Sequence, residues 1–190
     1  HHRRRRTGQR LSQLLSRADI IAGLADIAEL LVVAEVEVTF HVVGGAALVL
    51  TVRPDRQATG DVDTWINTTS EARTAVDDAI VAVARRRGWA DDWLNDKARL
   101  FIPNDVGGDI GEWLPHHLTN RIRIVIARPD VLLAMKLRAG RGRRDSDDLP
   151  ALVEACGYTT RAQAEACFAE HYPDDAMKPK SQAWIEANLE

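Results

Sequence analysis

Residues 19–34 carry Ile20, Leu24, Ile27, Leu30 and Leu31 at helical spacing, an apolar stripe that predicts a helix packed on a sheet. Residues 36–43 are alternating and β-branched, predicting a strand that runs into Gly44-Gly45. A helix over 46–52, a loop rich in Arg and Thr over 53–59 and a second strand over 61–66 follow. Ser70 stands where an N-cap belongs, before a helix over 71–87 that Gly88 stops. Further on, the pattern predicts a short strand over 99–102 and a loop over 104–111. In the strand expected over 121–127, basic and apolar residues alternate, which predicts one wet face. Helices are expected over 129–138, 147–155, 161–170 and 181–189. The β-α-β-α order of the first half predicts an α/β (α+β) core with neighbouring strands, and the second half reads as helical.

Two places in this pattern carry chemistry. A strand that ends in Gly44-Gly45 and turns into a helix offers backbone N–H groups to a phosphate, and the missing Cβ atoms allow close approach. The next strand carries Asp61 and Asp63 at positions i and i+2, which point the same way while Val62 enters the core. Adjacent carboxylates repel unless a cation sits between them, and oxygen donors of this kind suit Mg²⁺. Lys136 lies in a segment otherwise made of Leu, Ala and Met, where its ammonium can reach into a cleft as a point charge on a β- or γ-phosphate. Asp145 and Asp148 are three apart and share a helical face; one can meet Lys136 or a substrate while the other caps the helix. Asp96, Asp105, Asp109 and Glu112 are the candidates for a third metal carboxylate. His41, His116 and His117 lack ligand spacing and read as structural.

Composition narrows this picture without changing it. The 190 residues suit a single domain, with residues 1–10 a flexible basic arm and 11–190 the domain proper. A hydrophobic content of 45% with 28% charged residues is that of a soluble globular protein, and a net charge of −3 does not announce a nucleic-acid binder. The distribution says more: Arg3 to Arg6, Arg85 to Arg87, and Lys136, Arg138, Arg141, Arg143 and Arg144 form basic clusters that become a phosphate footprint if they converge on one face. Cys156 and Cys167 fit no metal spacing and read as small buried thiols of a reducing compartment. No apolar run is long enough to span a bilayer and no leader pattern stands out, so no membrane partner and a cytoplasmic location are expected.

The pairing of Gly44-Gly45 with Asp61-Val62-Asp63 resembles the polymerase-β-like nucleotidyltransferase superfamily. Trp93-Leu94-Asn95-Asp96, the block from Arg128 to Leu137 with Lys136, and Arg144-Asp145-Ser146-Asp147-Asp148-Leu149 resemble one branch of it, the AbiEii-type nucleotidyltransferases, which include the MenT toxins of bacterial toxin–antitoxin pairs. The likeness runs from about residue 11 to residue 189. One stretch departs: where relatives often carry Arg-Thr-Thr-x-Asp before the dyad, this chain reads Gln57-Ala58-Thr59-Gly60-Asp61. The resemblance implies a nucleotidyltransferase fold, a small mixed sheet flanked by helices with a core to about 127 and a helical C-terminal part from about 128.

For activity, the resemblance implies an Mg²⁺-dependent enzyme that adds nucleotides, with CTP or UTP favoured, to the 3′ end of tRNA and thereby blocks translation, held in check by a cognate antitoxin. Asp61, Asp63, Lys136 and Asp148 would be catalytic, Gly44, Gly45 and Lys136 would bind nucleotide, Asp61 and Asp63 the metal, and Arg141, Arg143 and Arg144 the tRNA. Two other readings stay open: transfer to a protein hydroxyl, and a catalytically degenerate nucleotide-binding protein.

Overall fold

The computed structural model describes residues 14–56, 58–104, 106–107, 112–142 and 147–190. The basic arm at 1–10, Asp105, Asp109, Arg143, Arg144 and Asp145 lie outside the described residues.

The first helix, α1 (Arg17–Val33), starts at a capping box: the Ser16 hydroxyl accepts from the Asp19 N–H, and the Asp19 carboxylate accepts from the Ser16 N–H at 2.9 Å. Its buried face holds Ile20, Leu24, Ile27 and Leu31. The chain then enters β1 (Val38–Val42), turns into α2 (Gly44–Leu50), returns as β2 (Val62–Thr68), and crosses back through α3 (Ser70–Arg87) to the short β3 (Leu94–Asn95). Strands β4 (Leu114–Leu118) and β5 (Ile122–Ile126) complete a mixed sheet of order β3-β2-β1-β5-β4. β1 is antiparallel to β2 and parallel to β5, while β3 runs parallel to β2 and β4 antiparallel to β5. The α/β class is thus observed, with helices flanking a small mixed sheet.

Four details differ from the sequence pattern. Residues 99–102 do not form a strand; Arg99–Phe101 is a 3-10 turn, and the strand beside β2 is Leu94–Asn95. The α3 helix is capped by Thr69 rather than Ser70, through its hydroxyl to the Ala72 N–H at 3.2 Å. β4 escaped the pattern because Leu-Pro-His-His-Leu neither alternates nor favours a strand, and its proline is tolerated at a sheet edge. In β5, Val125 is buried and Arg123 half-buried, so the expected wet face is only partly wet; β1 and β4 border it on both sides.

The C-terminal part is helical: α4 (Pro129–Ala139), α5 (Leu149–Cys156), α6 (Arg161–His171) and α7 (Pro179–Asn188). α4 packs against α5 and α6 and buries Leu132, Leu133 and Leu137, each worth about 1.5–3 kcal/mol on removal from water. One hydrophobic core links these helices with the sheet. Among the described residues, no helix is long and apolar enough to cross a membrane.

Candidate functional site

An open cleft of about 700 Å³ lies where the ends of β1 and β2 meet α4. Asp61, Asp63, Gly44 and Gly45 line one side, and Met135, Lys136, Arg138 and Arg141 line the other. Segments that are far apart in the chain are therefore brought together around one space.

Strand register builds the first wall. Val42 pairs with Thr64, and the Val43 N–H donates to the Asp63 carbonyl at 3.0 Å, so the turn into α2 is tied to the strand that bears the carboxylates. Gly44 adopts φ +64°, and a Cβ there would lie 3.0 Å from Asp63 Oδ2. At Gly45 a Cβ would lie 2.7 Å from the Thr59 hydroxyl oxygen. These glycines bring the backbone against the dyad and the preceding loop. The first-turn N–H groups of a helix have no intrahelical acceptor, and Val43 has no side-chain oxygen with which to cap them.

Asp61 and Asp63 are both half-buried and both line the cleft. Burial pushes the Asp61 carboxyl above its ordinary range, and the neighbouring Asp63 charge pushes it further; the Lys97 ammonium and a hydrogen bond from Asn95 work against the rise. Asn95 Nδ2 donates to Asp61 Oδ2 at 3.1 Å. Among the described residues neither carboxylate forms a salt bridge, and both offer hard oxygen donors to an open cleft. That donor set fits Mg²⁺.

The opposite wall is satisfied internally. Lys136 Nζ donates to Asp148 Oδ2 at 2.9 Å, and Arg56 Nη1 reaches Asp148 Oδ1 at 3.0 Å and Oδ2 at 2.9 Å. Lys136 was expected to meet a phosphate as a point charge; here it lines the cleft while ion-paired. Asp148, expected among the groups that touch substrate, is only 2% exposed and does not line the cleft. It occupies the N-cap of α5 yet makes no capping bond, because its carboxylate is turned to the two cations. Its action is to hold Lys136 and Arg56 in place.

The remaining candidates separate clearly. Asp96 accepts from the Ile66 N–H at 2.9 Å and from Arg73 at 2.7 Å, which makes it part of the β2–α3 structure. Glu112 accepts from the Gly107 N–H at 2.9 Å. Neither lines the cleft, and among the described residues no group of three or more His, Cys, Asp or Glu is arranged to hold a metal ion. His41 is buried against Trp65, with ring centroids 4.4 Å apart, and His116 and His117 lie on the edge strand β4. Of the expected tRNA contacts, Arg141 lines the cleft; Arg138 and Lys178 extend that basic wall, Arg138 paired with Asp175 at 2.6 Å.

Arg56, Thr59, Asn95 and Lys97 have no role in the sequence pattern, although Thr59 and Asn95 lie in the stretches compared with the nucleotidyltransferases. The signal was present in their positions: Arg56 and Thr59 sit in the loop just before the dyad, and Asn95 and Lys97 follow the Trp93-Leu94 pair. Nothing in a one-dimensional pattern, however, says that β3 pairs with β2 and sets Asn95 opposite Asp63.

No protein-family model matches this chain, and no curated protein matches it in sequence. Among solved structures, the crystal structure of an antigenic nucleotidyltransferase-like protein from Paracoccidioides brasiliensis aligns over 94% of this chain and 97% of that one, with 14% identity and a TM-score of 0.47. A likeness that loose assigns neither residues nor a reaction.

Proposed function

We propose that this protein is an Mg²⁺-dependent nucleotidyltransferase that moves a nucleotide from a nucleoside triphosphate to the 3′ end of tRNA. The observation that carries this reading is the convergence, in one cleft, of the adjacent carboxylates Asp61 and Asp63 with the cations Lys136, from α4, and Arg56, from the loop before the dyad. A metal–triphosphate complex requires carboxylate oxygens for the cation and fixed positive side chains for the phosphates, and Asp148 holds Lys136 and Arg56 in place for the second task.

The reaction is an in-line attack. The acceptor hydroxyl oxygen bonds to the α-phosphorus as its proton passes to solvent, the bond from that phosphorus to the oxygen bridging to the β-phosphorus breaks, and pyrophosphate leaves. Asp61 and Asp63 would hold Mg²⁺, which supplies charge neutralisation at the phosphate oxygens and lowers the pKa of the attacking hydroxyl. Lys136, steadied by Asp148, would hold the β- or γ-phosphate, and the Gly44 and Gly45 amides add neutral donors beside the dyad. Positioning and neutralisation of developing charge are most of what such a site must provide.

The basic wall of Arg138, Arg141 and Lys178 supports a polynucleotide acceptor, because phosphate neutralisation supplies much of the affinity for RNA. Replacing Arg141, Arg143 and Arg144 with alanine should raise the Kd for tRNA and reduce its salt slope by about one for each phosphate left without its arginine. The choice of CTP or UTP, the role as the toxin of a toxin–antitoxin pair and the cognate antitoxin rest on the resemblance to the AbiEii-type nucleotidyltransferases.

The test is incubation with total tRNA, Mg²⁺ and each labelled nucleoside triphosphate in turn, using intact tRNA and tRNA whose 3′ end is blocked by periodate. Label on intact tRNA alone is expected. Label that persists on blocked tRNA, or that appears only on protein, would overturn the 3′-end reading in favour of another acceptor. Triphosphate binding with no label anywhere would point to a degenerate nucleotide-binding protein.

A further inference from the structure

Asn95 is a buried polar side chain whose bonds leave its amide a single orientation. Its Oδ1 accepts from the Lys97 N–H at 3.2 Å, so its Nδ2 is the end that faces Asp61 Oδ2, 3.1 Å away. Its backbone is pinned as well: the carbonyl accepts from the Thr64 hydroxyl at 2.8 Å, and strand pairing sets Asn95 directly opposite Asp63. The residue therefore touches one carboxylate of the dyad and is in register with the other.

We propose that Asn95 is a positioning residue for the metal site: its amide occupies one oxygen of Asp61, holds that carboxylate beside Asp63, and keeps the local charge at that of two acids. This inference rests on the reading of Asp61 and Asp63 as the metal dyad. A side chain that can only accept would lose the bond to Asp61 and add repulsion, while an apolar one would free Asp61 to rotate. Partners that orient metal-ligating carboxylates typically change metal affinity by about 10–100-fold when removed. Added negative charge among the oxygens acts in the opposite sense and tightens binding of a hard cation.

The two substitutions thus predict opposite outcomes. Asn95→Asp keeps the shape and the acceptor for the Lys97 N–H, and should tighten Mn²⁺ binding by about tenfold. Asn95→Leu should weaken it by about tenfold or more. Mn²⁺, which shares the preference of Mg²⁺ for oxygen ligands, is titrated into the folded, nucleotide-free protein and read by its electron paramagnetic resonance signal, with a thermal melt of each variant. Asn95→Ser replaces the leucine variant if that one does not fold.

Weakened Mn²⁺ binding in both variants together with lowered melting temperatures would mark Asn95 as merely structural and overturn the proposal, as would a Kd within about threefold of wild type for both. Weakening in both with unchanged melts would support the positioning role, since both remove the amide. Asp61→Asn separates this failure from that of the parent reading. If Mn²⁺ binding survives Asp61→Asn, or is absent from the wild type, the metal assignment fails and this inference fails with it. If Asp61→Asn abolishes binding while both Asn95 variants match wild type, only the role of Asn95 is refuted.

Discussion

The carboxylates that line the cleft and the one buried behind it handle negative charge in opposite ways. At the strand end, Asp61 and Asp63 lie half-buried side by side, and the Asp61 carboxyl is pushed up by burial and by its neighbour. At the helix end, the more deeply buried Asp148 is matched by two cations within 3.0 Å. A carboxylate satisfied by its own chain contributes to the fold. A pair with no salt bridge among the described residues costs stability and is available to a cation from outside. The contrast marks the strand end as the place for metal and the helix end as the support for what binds next to it.

The largest effect should follow from removing that pair. Asp61→Ala or Asp63→Ala should lower nucleotide transfer by at least about a hundredfold while leaving the fold intact, because a metal clamp is worth several kcal/mol in the transition state. Activity of both variants within about tenfold of wild type, or ~1.4 kcal/mol, would break the comparison at its first term.

Next comes the satisfied end. Asp148→Ala leaves Lys136 and Arg56 facing each other without their shared anion, and should cost about 3 kcal/mol in chemical denaturation. Lys136→Ala leaves Asp148 with Arg56 alone and should cost about 2 kcal/mol, as well as weakening nucleotide use. A lysine standing alone in an open cleft would have changed stability little. If Lys136→Ala leaves the denaturation midpoint unmoved, the ion pair is not formed in solution.

Asp130, at the start of α4, sharpens the contrast through pH. The side chain of His171 first, and Arg128 after it, hold its carboxyl well below the ordinary range. A depressed carboxylate stabilises the fold above its unfolded value of 3.8, and that contribution is lost as pH falls below it. Stability measured from pH 6 down to pH 2 should fall in the wild type by about 2 kcal/mol more than in Asp130→Asn.

Asp61 has the reverse sign and the smallest effect. Its folded-state carboxyl is raised, so the protonated form binds its proton more tightly in the folded chain, and stability falls as pH rises through the carboxylate range. Asp61→Asn should therefore raise stability at neutral pH, by less than about 1 kcal/mol because solvent screens a half-exposed group. A lower melting temperature for Asp61→Asn without metal would show that the pair is already compensated.

What the sequence determined by itself is what short-range physics encodes. The apolar stripe of α1, the strand that runs into Gly44-Gly45, the stop at Gly88 and the placement of Asp61 and Asp63 at the start of the next strand, with β2 beginning at Val62 just after Asp61, all follow from local periodicity and from residues with strong backbone preferences. The pairing of glycines and dyad was legible for the same reason, since β1 and β2 are close in the chain and pair antiparallel. Lys136 was legible as an odd charge in an apolar helix, although its ion pair with Asp148 was only one of the arrangements left open.

Tertiary structure decided what depends on segments distant in sequence. It brought Arg56 to Asp148 across 92 positions and turned a candidate catalytic acid into an anchor for two cations. By pairing β3 with β2, it placed Asn95 against Asp61, 34 positions away. Beyond β3, Arg99–Phe101 forms a 3-10 turn rather than the expected strand. Each of these outcomes turns on register and on which charges end up sharing a low-dielectric space, and neither quantity has a period along the chain.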